Sequence, residues 1–345
     1  MMNDLSERQK LILALVVRDF VDTAQPVGSK RLVERYNLDF SSATVRNEML
    51  ALTELGYLAQ PHTSAGRVPT DSGYRYFVRQ LMTHQDLPLS VQNTIIHQFY
   101  QAGSDVEQWM RLSASVLAQQ LQAAALVTAP HPDTIRFKHL ELIGTRGRQV
   151  LMVLVLMGGE VRQQMLSLAE PVSQERLSVT ANRLNARCEG KRTTEITTLP
   201  DSWDTLEQDI LKLIADEMHR SGNLFSGEVY RDGLTHVLAE PEFAETALAR
   251  RALRLLEERP LLNDFLARTA PTTKVGGVQV LIGGEGAWED LRECSIVLAR
   301  YGAPGVVTGM LGVLGPTRMP YGRTVSTVRF VAGVLSDFVN EVLVD

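Results

Sequence analysis

Ser41, Ser42, Thr44, Arg46 and Asn47 put five hydrogen-bonding side chains on about two turns of one helix. The types suit readout of a DNA major groove: Arg pairs bidentately with guanine, Asn with adenine, and a Thr methyl meets thymine. The N-terminus of such a helix adds backbone N–H groups that favour a phosphate. A second polar group follows at His62, Thr63, Ser64 and Arg67, around the small residues Ala65 and Gly66. Lys30 and Arg31 precede the first group, and Arg75 follows the second among Tyr74, Tyr76 and Arg79. These twelve residues, Lys30, Arg31, Ser41, Ser42, Thr44, Arg46, Asn47, His62, Thr63, Ser64, Arg67 and Arg75, are the candidate DNA contacts. Tyr74 and Tyr76 serve equally as core, and core is the expectation for at least one of them.

Three helices and a hairpin must position these side chains. Ser6 and Gln9 form a capping box, and Leu11, Ile12, Leu15, Val16 and Phe20 recur at helical spacing behind it. Pro26 and Gly28 end that helix, and Ser29 caps a short second one. Ser41 or Ser42 caps the third, whose Val45, Met49 and Leu52 face inward. Gly56 ends it. Tyr57–His62 then reads as a strand with Arg67–Val68 returning antiparallel, and Gly66 supplies unusual backbone angles at the tip, which leaves His62, Thr63, Ser64 and Arg67 exposed. Thr70 or Asp71 opens the next helix. This order is that of a winged helix-turn-helix.

The run SSATVRNEM, then LGYL, then PHTSAGRVPTDSGYRYFV, nearly unbroken over residues 41–78, resembles the N-terminal signature of the HrcA family of heat-inducible transcription repressors. The segment GEVYRDGLTHVLAEPEF (residues 227–243) fits the same family, as does the length. The resemblance implies a repressor that binds the inverted-repeat operator CIRCE upstream of chaperone operons and that the chaperonin GroEL helps keep active. It also implies a GAF-like domain carrying an inserted dimerising domain, with no tightly bound cofactor.

Composition restricts the alternatives. The chain has 345 residues, 44% hydrophobic and 22% charged, as a soluble protein of two or three domains does. It opens on MMNDLSERQK with no apolar signal segment, and its longest apolar run, Val150–Met157, is too short to span a bilayer, so a cytoplasmic protein is expected. Cys188 and Cys294 are too few and too far apart for a disulfide framework or metal site, and read as buried small hydrophobes. Net charge is −5, yet residues 28–79 hold seven Lys/Arg against five Asp/Glu, a net +2. A weakly basic head on an acidic body argues for base contacts and two heads on one duplex rather than for loose binding. G-x-S-x-G, H-E-x-x-H and C-x-x-C are absent, and the seven histidines are scattered, so an enzyme is not expected. The glycines of Ile282–Gly286 lack nucleotide-loop spacing and read as a strand turn.

The remainder reads as an α+β multidomain. The expected divisions are a winged helix-turn-helix at 1–85, a linker and helix at 86–103, a first GAF-like part at 104–169, an inserted dimerising segment at 170–222 and a second GAF-like part at 223–345. Ser104 and Glu107 suggest a capping box for a helix reaching about Leu126. Strands are expected at Phe137–Gly144, Gln149–Met157 and Glu160–Leu168, then at Val278–Gly283, Cys294–Tyr301 and Gly305–Val313. Later helices are expected near Glu242–Glu258, Pro260–Arg268 and Val325–Val344. Helices at Gln174–Cys188 and Thr205–Arg220 carry Leu177, Leu184, Leu206, Ile210 and Leu213, a stripe too large for the segment to bury alone, so a two-fold partner surface is expected there. Three readings stay open: a homodimeric repressor on an inverted repeat, the same head on a small-molecule-sensing body, and an interaction protein whose head docks on protein.

Overall fold

The computed structural model describes residues 5–63, 65–83, 86–103, 105–132, 135–157, 159–199, 203–223, 228–243, 254–269, 273–283 and 291–344. The head holds α1 (Glu7–Thr23), α2 (Ser29–Tyr36), α3 (Ser42–Glu54), β1 (Leu58–Ala59), β2 (Val68–Pro69) and α4 (Asp71–Tyr76). α4 continues into a π-helical turn over Phe77–Leu81. Ser6 and Gln9 form the expected capping box on α1. For α2 the cap is Gly28 rather than Ser29, which is already helical and makes no capping bond.

Within the linker and helix expected at 86–103 lies α5 (Leu89–Gln101), whose Ile95 and Phe99 are buried. The Phe99 ring stacks at 6.0 Å on Phe338 of the last helix, so α5 belongs to the body. Asp105 caps α6 (Val106–Leu121), accepting from Glu107 N at 2.9 Å; Ser104 lies outside the described residues. α6 stops five residues early because Gln122 turns left-handed. The apolar run behind it becomes β3 (Ala124–Thr128), a strand buried on both faces.

β3 joins β4 (His131–Pro132), β8 (Val229–Asp232), β9 (Val278–Ile282), β10 (Cys294–Ala303) and β11 (Val307–Pro316) in one antiparallel sheet of order β8-β3-β11-β10-β9, with β4 on β11. Alternation divides each strand between two cores. Ala125, Val127, Val297 and Val313 face α6 and α12 (Tyr321–Val339), in one continuous cluster with the head. Ala124, Leu126, Leu298 and Leu314 face Val237 of α10 (Leu234–Leu238), together with Phe265 and Leu266 of α11 (Arg259–Thr269). α12 begins four residues before the expected Val325, and its end is π-helical over Asn340–Val344. Of the helix expected at 242–258, residues 244–253 lie outside the described residues; Pro241–Phe243 is a single 3-10 turn.

The largest departure concerns β5 (Phe137–Gly144), β6 (Gln149–Leu156) and β7 (Val161–Ser167). They fall where expected, but they do not join the main sheet; they form a meander of their own, β5-β6-β7. Its inner residues Leu140, Leu142, Met152 and Leu154 share a third core with α7 (Gln174–Cys188) and α9 (Thr205–Asn223); α8 (Thr193–Thr197) lies between these helices in sequence. The strands expected in the first GAF-like part thus share one core with the helices of the segment expected at 170–222. Asn185 pins α7 to the free edge of β5, accepting from Leu140 N at 2.8 Å and donating to Leu140 O at 3.0 Å. Gln174 does the same at Gly144 N and Leu142 O. Covering an edge in this way satisfies backbone groups that would otherwise invite foreign strands.

This meander also corrects the expected dimer stripe. Leu177, Leu184 and Ile210 are fully buried in the third core, while Leu206 and Leu213 are partly buried against it. The two helices needed an apolar partner, and the inner face of β5–β7 is that partner.

Candidate nucleic-acid interface

Ser41 caps α3: its Oγ accepts from Thr44 N at 3.1 Å and lies 2.9 Å from Thr44 Oγ1. Both hydroxyls are thus committed to starting the helix. Val45, Met49 and Leu52 are buried, as the spacing requires. The opposite face presents Ser42, Ala43, Arg46 and Asn47, all exposed. Among the described residues, neither Arg46 nor Asn47 is engaged in a side-chain hydrogen bond or ion pair. Leu50 extends this face at 48% exposure, an apolar surface the sequence reading missed although i+4 from Arg46 points to it.

A charge clamp sets how α2 lies on α1. The Asp19 carboxylate is fully buried and paired with Arg31 Nε at 3.0 Å and with Arg35. Arg35 also reaches Asp22 at 2.7 Å, and its hydrogen bond to Asp19 raises its pKa further. Arg31, its side chain 41% exposed, is therefore tied through Nε to that buried carboxylate. Lys30 stays exposed, 3.8 Å from Glu34, a pairing worth little at a surface.

The hairpin is shorter and better braced than expected. Among the described residues, only Leu58↔Pro69 and Ala59↔Val68 pair between its arms. Arg67 pairs instead with Val27, through reciprocal 2.8 Å N–H···O bonds, so the chain between α1 and α2 acts as a third strand. Gly66 has no positive φ; a Cβ there would lie 2.4 Å from Val27 O, and this close approach is what excludes a side chain. Gln60 Nε2 holds the tip through Thr63 O and Ala65 O. His62 and Thr63 are exposed there, and Ser64 lies outside the described residues. Arg67 is half-buried, with Nε donating to Thr53 Oγ1 of α3 at 3.0 Å, so its base leans on α3 instead of standing free.

Arg75 points elsewhere. Its Nη2 donates to Ile282 O of β9 at 2.9 Å, across the seam between head and body. Tyr74 and Tyr76 are both buried, against Tyr321 at 5.9 Å and Tyr57 at 5.2 Å. The structure thus gathers Ser42, Arg46, Asn47 and Leu50 on one face, with His62 and Thr63 on the neighbouring hairpin. It directs Arg31 and Arg75 to internal duties.

Elsewhere, no group of His, Cys, Asp and Glu among the described residues could hold a metal ion, and no described helix is long and apolar enough to cross a membrane. A family model described as "HrcA protein C terminal domain" matches residues 107–325. The chain is 44% identical over 349 residues to the heat-inducible transcription repressor HrcA of Roseiflexus castenholzii, covering 99% of this chain and 96% of that protein. It is 41% identical to the protein of that name from Herpetosiphon aurantiacus, over 98% and 96% of the two. These relatives are named as repressors, not as enzymes. A crystal structure of a hypothetical protein at 2.2 Å resolution shares the fold with a TM-score of 0.57 over 98% of both chains, at 22% identity. With this share of the chain matched, it belongs to the HrcA family of heat-inducible transcription repressors.

Proposed function

We propose that this chain is a sequence-specific DNA-binding repressor of chaperone operons, acting as a homodimer on the inverted-repeat CIRCE operator. The observation that carries the reading is the uncommitted outer face of α3: Ser42, Ala43, Arg46, Asn47 and Leu50 are exposed beside a braced hairpin. In this reading the head is a winged helix-turn-helix. α3 enters the major groove, while His62, Thr63 and Ser64 meet the backbone or minor groove beside it. Ser41 and Thr44 start the helix, and its free N–H groups take a phosphate. Lys30 and Arg67 add charge at the rim.

An inverted repeat calls for a two-fold protein, and one head offers only a module-sized contact. The main sheet, read as GAF-like, and the inserted unit supply the partner surface. The outer face of β5–β7 suits it best. Ile143, Leu151 and Met165 form one cross-strand row, and Val155 and Val161 lie in another. Ile143, Val161 and Met165 are 45%, 51% and 54% exposed, an apolar patch of the kind that marks interaction sites. Modulation by the GroE chaperonin completes the reading on the strength of the family resemblance.

The test is titration of the purified protein on DNA upstream of a chaperone operon, beside a single half-site and random sequence. Strong preference for the full repeat supports the reading; equal affinity for all three would end it.

A further inference from the structure

The head is fastened to the body through α4, although α4 is not part of the proposed DNA face. Contacts from the first, fourth and fifth residues of α4 do this. Arg75 Nη2 donates to Ile282 O of β9, the Tyr74 ring packs on Tyr321 at the start of α12, and the Asp71 carboxylate lies against Gly283. A Cβ on Gly283 would stand 2.2 Å from Asp71 Oδ2, so any side chain there would push the carboxylate aside, and the φ of +62° itself favours glycine. Among the described residues the seam also leaves a polar atom unpaired. Tyr74 is buried, and among the described residues its hydroxyl has no hydrogen-bond partner. A cavity of about 240 Å³ opens in the same seam, lined by Val17, Phe77, Met319 and Arg323 among others. Beyond Tyr76 the helix widens into a π-turn, a form frequent at functional positions.

A buried hydroxyl without a partner weakens the packed state, because opening returns it to water. Among the described residues the seam therefore combines a directional bolt, Arg75 to Ile282 O, with a buried hydroxyl that has no partner, Tyr74 Oη. Resting on the DNA-binding reading above, we propose that docking of α4 on β9 and α12 is an equilibrium that positions each head. The docked form is the one that engages both half-sites. Docking leaves the α3 face exposed, so it does not block DNA. It fixes the direction in which each head projects, and a pre-set pair of heads loses less freedom on binding than a tethered pair. Arg75 is then a positioning residue and Tyr74 sets how weak the latch is.

The experiment compares Arg75→Ala, Arg75→Lys and Tyr74→Phe in the full chain. Amide exchange is followed over residues 71–81 and 278–282, and affinity is measured on the inverted repeat and on one half-site. Arg75→Ala is expected to speed exchange in both segments and weaken the full repeat roughly tenfold, within the range linked sites command, with half-site affinity held within about twofold. Arg75→Lys, retaining a donor for Ile282 O, should recover most of that loss. Tyr74→Phe removes only the unpartnered oxygen and should slow exchange without weakening the full repeat. Equal loss on half-site and full repeat would make Arg75 merely structural. Faster exchange with unchanged or improved affinity for the repeat would overturn the claim that docking favours binding. If the wild-type protein does not prefer the repeat to random DNA, the DNA-binding reading falls and this one with it; normal preference with no exchange response sinks the docking alone.

Discussion

Arg67 of the hairpin donates through Nε to Thr53 Oγ1 near the end of α3, tying the element proposed for the groove to the one proposed for the backbone. The two residues should separate by experiment. Arg67→Ala is expected to lower operator affinity and to reduce the salt slope by about 0.9, one phosphate's worth. Thr53→Val should loosen the hairpin and lower affinity modestly with the slope unchanged. Salt titrations of both variants decide; an unchanged slope for Arg67→Ala would remove that side chain from the DNA contacts.

Arg46→Ala and Asn47→Ala should each cost about 1–3 kcal/mol on the operator if they make bidentate base contacts. Binding to random DNA should change far less. Neither side chain supports the head's interior, so melting temperature should not move. Equal losses on both DNAs would make them backbone contacts.

Asp19→Ala leaves Arg31 and Arg35 facing each other without the carboxylate between them. The expected result is a lower melting temperature and loss of operator binding, with the body's fold unaffected. Retained operator affinity would show that the clamp does not set the angle of α2.

Ile210→Ala should cost about 2–5 kcal/mol of stability in the third core, as large-to-small core changes do, and leave the proposed dimer intact. Met165→Glu, on the outer face of β5–β7, should instead give a folded monomer that holds one half-site weakly. Light scattering beside thermal melting distinguishes them. A dimeric Met165→Glu protein would place the contact elsewhere, most directly on the main sheet's body.

Burial pushes the Cys188 thiol up to about 11 and the Cys294 thiol to about 12, from an ordinary 9.0. A folded-state pKa above the unfolded one means stability is whole below about 9 and is lost as pH climbs toward 11 and 12. Melting temperature should therefore fall over that window, and less steeply in Cys188→Ala. Cys188 lies in the third core and Cys294 in the second, so thiol labelling reports the opening of each unit separately. Rapid labelling of both in the native protein at neutral pH would contradict their burial.

Local signals carried far along this chain. The Ser6–Gln9 box, the Ser41 cap and the Val45, Met49, Leu52 face were readable because caps and helical periods act over three to seven residues. β5, β6, β7 and α7 also fell at or within a residue of their expected bounds, since alternation and Gly turns are equally local. The family signature over residues 41–78 identified the relatives correctly.

Local order along the chain thus sufficed for the type and bounds of most elements, the inward face of α3 and the family. Tertiary structure alone decided which sheet each strand entered, because β5–β7 carry patterns compatible with either, and the choice rested on α7 and α9 needing an apolar face. The same physics moved Leu177, Leu184 and Ile210 from a presumed partner surface into a core. It also took Arg31 and Arg75 off the list of free cations: an arginine's partner can lie twelve residues away, as Asp19 does, or two hundred, as Ile282 does, and no local period records either distance.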